Sequence, residues 1–415
     1  MSHETTVPAT PREMVARARE LRDRLRAEQA ATEERTYHSP ELFEAFRAAG
    51  FYRMLQPQRF GGFEVDLGSF YATIVELARG CPSTGWCVCL GSAHVLNFSA
   101  LFPESVQQQV LGGDGHFVAP SRALPGGTAT PTSDGWLING RWDYCSGVPY
   151  ATHALQSVML PAGDDGQPRV GTALIARDDF TMLDDWGELI GLRGSGSHTT
   201  VAENIEIPRD WVVEADLNNV SFADTIGWQL HGNPMYSGRN AGFFTGELTA
   251  CAVGIARAAL DEYVELMQGK QTVWIPQVRR TEDPHYQMWF GRAQTLVDSA
   301  EAGLMRLAEL FHEFCEQQVA GGDEFSLGDD MRLASMALQS GLLVTEAMDL
   351  MIRTAGSSAM KNGTKMQRYW RDFSTYRSHI GSMMLENFAV RHAAATLTGV
   401  EIHRPGALRP AGQEA

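Results

Sequence analysis

The first quarter of the chain carries apolar residues at the three- and four-residue spacing of amphipathic helices. Ser or Thr followed by proline marks the start of two of them, at Thr10-Pro11 and at Ser39-Pro40. The stripe expected to face the core of the first helix is Val15, Ala18, Leu21 and Leu25. Further helices are predicted over residues 70–78, 86–98 and 105–111. The pattern therefore predicts an N-terminal helical domain over residues 1–115.

Helical spacing stops near residue 116, and short runs rich in Val, Thr, Gly and Pro replace it. Turn residues such as Ser133-Asp134-Gly135 and Asn139-Gly140 separate these runs. The runs lie at 136–138, 141–145, 155–160, 171–175 and 201–207. Their length and spacing predict a small antiparallel sheet or barrel, a middle β-domain over residues 116–225.

Long apolar periodicity returns in the last part of the chain and predicts helices over 246–267, 286–315, 331–351 and 378–397. Four long helices in succession indicate a C-terminal four-helix bundle over residues 226–403. The stretch 404–415 contains two prolines and is expected to be a flexible tail. The fold class is α+β and mostly α. The order of helices, strands and helices is unlike the βαβ alternation of doubly wound folds.

Composition excludes several classes of function. The 415 residues carry a formal net charge of −16 and a pI near 5.2, so we expect no nucleic-acid or membrane-surface partner. Six cysteines in this length do not form a disulfide scaffold, and no apolar run reaches the ~20 residues of a membrane span. The N-terminus has no apolar signal region, which favours a cytoplasmic location. No histidine and carboxylate motif predicts a metal site.

Three stretches carry the chemistry of the chain. They are 140–147 (Gly-Arg-Trp-Asp-Tyr-Cys-Ser-Gly), 186–197 (Trp-Gly-Glu-Leu-Ile-Gly-Leu-Arg-Gly-Ser-Gly-Ser) and 367–372 (Gln-Arg-Tyr-Trp-Arg-Asp), the last followed by His379. In this order they resemble the acyl-CoA dehydrogenase superfamily, over about residues 39–400. The closer resemblance is to its oxygen-using branch, the two-component flavin-dependent monooxygenases that hydroxylate phenols. This resemblance implies an acyl-CoA dehydrogenase-like fold.

The C-terminal motif separates this branch from the dehydrogenases, which commonly have a glutamate base shortly after the Arg-Asp pair. Residues 373–381 contain no carboxylate, and Glu386 lies further on. Abstraction of a proton beside a thioester requires such a base. The hydroxylases have a histidine at the position of His379, and imidazole titrates where a phenolic proton can be taken.

The resemblance implies the cofactors and partners. The cofactor is reduced flavin, FADH2 or FMNH2, with O2 as co-substrate, and a flavin C4a-hydroperoxide hydroxylates an aromatic, phenol-like substrate. The chain has no recognisable nicotinamide site, so a separate NAD(P)H:flavin reductase is expected to supply the flavin. The bundle is expected to pack against its copies as a homotetramer.

Candidate flavin contacts also follow from the resemblance. The hydroxyl of Ser146 is expected to reach flavin N5, where it retains the N5–H and prevents loss of hydrogen peroxide. Ser195 and Ser197 are expected to hold the flavin phosphate or ring edge. Trp142 packs either on the flavin or in the core. Arg280 either binds phosphate or forms a solvated pair of charges with its neighbour Arg279.

The substrate side is assigned to His94, Ser121 and Trp86, with His379 as the base that takes the phenolic proton and His94 as a further catalytic candidate. Considered without the resemblance, each of these residues is also compatible with an ordinary position in the core or in a loop. A structural ion pair between Arg371 and Asp372 is the simplest interpretation of that dipeptide.

Three other functions remain open at this stage. One is an acyl-CoA dehydrogenase-type desaturase. Another is oxygenation of nitrogen or sulfur by the same flavin intermediate, since the pocket selects only the target. The third is a flavin-binding or helical scaffold without catalysis. The sequence does not separate FMN from FAD, nor does it name the substrate.

Overall fold

The computed structural model describes residues 10–403 except 114 and 165. The N-terminal part is helical, as predicted, and both predicted caps are present. Thr10 forms a capping box with Glu13, and the hydroxyl of Ser39 accepts from the backbone N–H of Leu42. The buried stripe of the first helix contains Met14 rather than Val15. The helices are α1 (Pro11–Glu20), α2 (Arg22–Arg35), α3 (Pro40–Ala49), α4 (Leu67–Gly80), α5 (Pro82–Ala93), α6 (Val95–Leu101) and α7 (Glu104–Leu111).

The single helix predicted over residues 86–98 is wrong. The chain turns at His94 and divides this stretch between α5 and α6. The His94 ring bonds to the carbonyl of Ala119, at the start of the next structural region. A contact with a residue 25 positions away is not visible in local periodicity.

The middle of the chain forms one curled seven-stranded sheet in the order β5-β6-β2-β1-β3-β4-β7. Its strands are β1 (Ser121–Pro131), β2 (Gly135–Trp142), β3 (His153–Leu160), β4 (Arg169–Ala176), β5 (Thr181–Met182), β6 (Thr200–Pro208) and β7 (Val212–Val213). The purely antiparallel arrangement that was expected is wrong, because β1 and β3 run parallel.

Strand β1 was missed because it contains Pro125, Gly126 and Gly127, which disfavour strands. The Trp142 indole explains the glycines. A Cβ on Gly126 would lie 2.6 Å from its Cδ1, and one on Gly127 would lie 2.7 Å from its Cζ2. The two glycines therefore make room for a buried aromatic ring of the neighbouring strand.

The C-terminal part returns to helices, which are α8 (Ile226–His231), α9 (Ala241–Gly269), α10 (Pro284–Val319), α11 (Leu327–Ala355), α12 (Lys365–Arg377) and α13 (Leu385–Thr398). Helices α9, α10 and α11 pack together, α12 packs on α9, and α13 packs on α11. Helix α9 also packs on α4 and α5, so it joins the bundle to the N-terminal helices. The segment 404–415, predicted to be a tail, lies outside the described residues.

The helix predicted over residues 378–397 is wrong at its start. Helix α12 ends at Arg377, a short 3₁₀ turn covers Ile380–Met383, and α13 follows. The side chain of His379 accepts from the backbone N–H of Gly381 and caps the 3₁₀ turn. His379 therefore lies at a junction between helices and not on a helix face.

Helix α9 is long and apolar enough to cross a membrane by length and composition, but 89% of its most apolar window is buried inside the fold. It is the central helix of the packed structure.

Candidate active site

The loop that carries Ser146 is held against the segment that carries Ser195 and Ser197. The backbone N–H of Gly147 donates to the carbonyl of Ser195 at 3.3 Å, and that of Cys145 donates to the carbonyl of His198 at 3.2 Å. Gly147 has φ +85°, and a Cβ there would lie 3.0 Å from the carbonyl oxygen of Cys87. Glycine therefore lets this loop approach α5 closely.

Three separate parts of the chain fix the glycine-rich segment that contains these serines. The N–H of Leu192 donates to Oδ1 of Asp372 at 2.7 Å, and the N–H of Gly196 donates to the carbonyl of Thr36 at 2.8 Å. The N–H of Gly194 donates to the Ser83 hydroxyl at 3.3 Å. The serine side chains are consequently presented from a fixed backbone.

A chain of buried hydroxyls results. The Oγ atoms of Ser146 and Ser197 are 2.7 Å apart, and those of Ser197 and Ser195 are also 2.7 Å apart. The indole Nε1 of Trp86 donates to Ser146 Oγ at 3.1 Å. Three predicted flavin contacts and one predicted substrate contact thus form one connected cluster, called here the serine chain, which consists of Trp86, Ser146, Ser197 and Ser195.

His379 lies beside this cluster. Its ring is edge-on to the Trp86 ring, with centroids 5.8 Å apart. Nδ1 accepts from the N–H of Gly381 at 3.1 Å, so the proton of the neutral ring is on Nε2. Burial, with a smaller contribution from the charge of Arg122, lowers the pKa of His379 to about 4. At neutral pH His379 is therefore an uncharged hydrogen-bond donor at Nε2.

His94 has the opposite tautomer. Its Nδ1 lies 2.8 Å from the carbonyl oxygen of Ala119, which can only accept, so Nδ1 carries the proton. Nε2 is left as an acceptor, and it is buried without a partner among the residues that the structure describes. Burial lowers the pKa of His94 to about 4. An orphaned buried acceptor of this kind is suited to a ligand hydroxyl or N–H.

The remaining predicted residues are not part of the serine chain. Ser121 begins β1 opposite Leu155 and is half-buried. Trp142 lies in the core of the sheet, and its indole N–H donates to the carbonyl of Ser157 at 2.9 Å. Of the two interpretations of Trp142, this position favours the core.

Arg280 and the Arg371-Asp372 pair both require correction. Arg280 is buried rather than solvated, and it donates to the carbonyl of Ala355 at 2.9 Å and packs over the Tyr286 ring. Arg371 pairs with Glu33 at 2.7 Å instead of with Asp372, which binds the N–H of Leu192. Burial raises the pKa of Asp372 to about 7.

Sequence reasoning missed Arg122, the second residue of β1. Its guanidinium pairs with Asp143 at 2.6 Å and lies 6.0 Å from the centre of the Tyr144 ring. Its charge is one of the two causes that lower the pKa of His379. Its guanidinium also donates to the carbonyl of Asp143 at 3.2 Å, three residues before Ser146. Arg122 follows Ser121 directly in the sequence. Because β1 was not predicted, the sequence did not indicate on which side of the strand the Arg122 side chain lies.

The cluster fits the hydrogen-bonding edge of a flavin. A serine hydroxyl can form three hydrogen bonds, and Ser146 uses one with Trp86 and one with Ser197. One place remains, which suits a single ring nitrogen. Within residues 10–403, without 114 and 165, no group of three or more His, Cys, Asp or Glu is placed to hold a metal ion.

Comparison with known proteins agrees with this architecture. The family model for the acyl-CoA dehydrogenase N-terminal domain matches residues 9–111, and that for the C-terminal domain matches residues 248–383. The oxygenase subunit HsaA of a flavin-dependent monooxygenase from Rhodococcus jostii (strain RHA1) is 27% identical over 356 residues, which is 86% of this chain and 91% of the relative.

A second relative is the oxygenase component of an FADH(2)-dependent resorcinol hydroxylase from Rhizobium sp. (strain MTP-10005). It is 26% identical over 379 residues, 88% of this chain and 90% of the relative. The crystal structure of 3-HSA hydroxylase from Rhodococcus sp. RHA1 superimposes with a TM-score of 0.85 at 26% identity, covering 94% of this chain and 98% of that one.

The chain belongs to the acyl-CoA dehydrogenase superfamily and, within it, to the branch of two-component flavin-dependent monooxygenases. It has the fold expected from the sequence, with helical N- and C-terminal parts around a curled sheet. It is a flavin-dependent enzyme that uses reduced flavin and O2.

Proposed function

We propose that this protein is the oxygenase component that hydroxylates an aromatic, phenol-like substrate with reduced flavin received from a separate reductase. The observation that carries the proposal is the buried serine chain with the neutral His379 imidazole beside it. A second buried and neutral imidazole, His94, has the opposite tautomer. The resorcinol hydroxylase among its relatives is named for a phenolic substrate.

The serine chain binds the flavin ring in this proposal. Ser146 offers its remaining hydrogen-bond place to flavin N5, and Ser195 and Ser197 hold the ring edge or phosphate. The bound reduced flavin supplies the electrons that activate O2, so that one oxygen atom enters the substrate and the other leaves as water. Ser146 retains the N5–H. The four residues of the serine chain exclude water, because all four are buried.

The two histidines divide the handling of the substrate proton. His94 accepts it at Nε2, while its Nδ1–H stays bonded to Ala119. His379 donates from Nε2–H, because its Nδ1 is occupied by Gly381. The base role expected for His379 would require Nδ1 to carry the proton, and that proton would then face the N–H of Gly381. We therefore assign the base to His94, whose ring is bonded to Ala119, two residues before β1 begins.

The acyl-CoA dehydrogenase alternative lacks a carboxylate base at the α12–α13 junction. Between Asp372 and Glu386 no carboxylate lies on the α12–α13 junction, and Asp372 is already bound to Leu192. Proton abstraction at a thioester would have to come from another group.

Exposed apolar residues support an oligomeric assembly. The loop between α9 and α10 exposes 76% of Val273, 44% of Trp274 and 92% of Ile275. Large apolar side chains grouped on a surface are typical of a protein interface. We propose that these residues pack against copies of the chain in a homotetramer in the cytoplasm, and sedimentation as a monomer at micromolar concentration would contradict it.

We propose that Arg280, which lies just before α10 begins, contacts the flavin phosphate. This contact requires part of the Arg280 guanidinium to turn away from the carbonyl of Ala355. We likewise propose that the domains divide at residues 115 and 225.

Purified protein tests the function directly. With NADH, flavin and a panel of phenols it should consume no oxygen, and addition of a flavin reductase should start oxygen consumption coupled to hydroxylated phenol. Turnover with NADH and flavin alone would contradict the two-component assignment. Oxygenation of indoles or thioethers but not of phenols would assign nitrogen, sulfur or another carbon as the target.

A further inference from the structure

The hydrogen bonds between the serines can run in either of two directions along the serine chain. The partners at the two ends of the serine chain decide which direction is adopted. The indole N–H of Trp86 can donate but not accept, so the bond from Trp86 to Ser146 always runs toward the serine. The two serine–serine bonds, each 2.7 Å long, can run either way, since each hydroxyl both donates and accepts. Two proton arrangements therefore satisfy the same atomic positions.

In the outward arrangement, Ser146 donates to Ser197, Ser197 donates to Ser195, and the O–H of Ser195 donates to the flavin ring edge or phosphate that the proposed function assigns to it. Ser146 then accepts from Trp86 and has one lone pair left, so its remaining place is an acceptor. In the inward arrangement, Ser195 donates to Ser197 and Ser197 to Ser146. Ser146 then accepts twice, and its own O–H is left to donate.

These two remaining places match the two redox states of a flavin. Reduced flavin presents an N–H at N5, which needs an acceptor, whereas oxidised flavin presents a bare nitrogen, which needs a donor. We propose that Ser197 and Ser195 are positioning residues that reverse the hydroxyl direction of Ser146 and thereby set the relative affinity for reduced and oxidised flavin. This inference rests on the proposed function, in particular on Ser146 meeting N5.

The sign of the effect follows from the hydrogen-bond count. With reduced flavin, Ser146 accepts a hydrogen bond from N5–H. If the Ser197 hydroxyl is removed, the O–H of Ser146 is then buried without an acceptor. With oxidised flavin, the same O–H donates to N5 and only a lone pair is unused. An unpaired buried donor is the costlier of the two. Ser197→Ala should therefore weaken reduced flavin more than oxidised flavin.

Ser195→Ala should act in the same direction. In the outward arrangement the O–H of Ser197 loses its acceptor, whereas the inward arrangement does not require Ser195 to satisfy Ser197. Both variants favour oxidised flavin through one mechanism, although only Ser197 touches Ser146.

The experiment measures the dissociation constants of oxidised and of anaerobically reduced flavin, with both FAD and FMN as probes. The ratio of the oxidised to the reduced constant should fall by about three- to tenfold in Ser197→Ala and in Ser195→Ala, the range expected for one net hydrogen bond. The potential of the bound flavin should fall by about 15–30 mV, at about 30 mV per tenfold for two electrons.

Two further variants separate this effect from loop damage. Ser197→Thr keeps a hydroxyl and should retain the wild-type ratio. Ser83→Ala removes a buried serine that binds the same loop at Gly194 but lies outside the chain, and it should leave the ratio unchanged even where overall affinity drops.

The outcomes distinguish the two levels of argument. Wild-type protein that binds both flavins with a ratio unchanged by Ser197→Ala and Ser195→Ala overturns this inference and leaves the proposed function intact. An equal shift in Ser83→Ala also overturns it, since the loop would then be responsible. Wild-type protein that does not bind reduced flavin overturns both.

Discussion

Trp86 donates its indole N–H to the hydroxyl of Ser146 at 3.1 Å, across 60 positions of sequence. The bond links α5 to the loop after β2. Ser146 therefore accepts a hydrogen bond from Trp86 whether or not a ligand is bound. The same Trp86 ring lies edge-on to His379. One side chain thus connects the proposed flavin contact with the proposed substrate contact.

Replacement of Trp86 by Phe should increase the leak of hydrogen peroxide. The ring contact with His379 is kept, but Ser146 loses its fixed donor and is less restrained. One net hydrogen bond predicts about a three- to tenfold higher ratio of hydrogen peroxide to product. The measurement compares peroxide and hydroxylated phenol per flavin consumed. Trp289→Phe on α10 is the matched control, and an equal rise there would refute the explanation.

Replacement of His94 by Asn should abolish most hydroxylation of phenols while reduced flavin still binds. The Asn amide can donate to the Ala119 carbonyl as Nδ1 does, but nothing replaces the Nε2 acceptor. Loss of a general base costs about 10²–10⁴-fold in rate. Initial rates should recover as pH approaches the phenol's own pKa, about 10 for an unsubstituted ring. A variant with the wild-type rate at pH 7 would exclude His94 as the base.

Two replacements of His379 distinguish a donor from a base. A Gln side chain can present an N–H near the place of Nε2, whereas an Asn side chain can still accept from Gly381 but does not reach that place. If Nε2–H is the active group, His379→Gln should stay within about tenfold of wild type and His379→Asn should lose more. Single-turnover hydroxylation rates decide between them. If both variants lose about 10²–10⁴-fold, His379 acts as the base instead.

Replacement of His38 by Phe should stabilise the protein, and more so in acid. Both ring nitrogens of His38 are buried without partners among the described residues, and the ring packs against Tyr150 and Phe46. Burial lowers its pKa to about 3, from 6.5 in the unfolded chain. Between these values the unfolded state binds more protons, so wild-type stability falls as pH drops below 6.5.

The gain from His38→Phe should therefore be larger at pH 5 than at pH 8 by about 2 kcal/mol, at about 1.4 kcal/mol per pH unit. Urea unfolding at the two pH values measures it. His285→Phe replaces an exposed histidine and is the control, for which we expect no such increase. A gain that is equal at pH 5 and pH 8 would show that the pKa of His38 is the same in the folded and unfolded states.

The sequence by itself determined the features that depend on neighbouring residues. The caps at Thr10 and Ser39 and the three long helices α9, α10 and α11 follow from local spacing and turn chemistry, and the structure confirms them. The succession of helices, sheet and helices was visible for the same reason. The motifs around Ser146 and His379 indicated the family, because their order along the chain is itself sequence information.

Only the tertiary structure decided the chemistry of the site. Glycines are needed in β1 because Trp142, a residue of another strand, packs against them. The proton positions on His94 and His379 depend on a carbonyl and an amide that the folded backbone brings to each ring. The hydroxyl chain joins Ser146 to Ser197 across 51 positions. Hydrogen bonds have direction as well as distance, and their direction is fixed by partners that sequence spacing does not bring together.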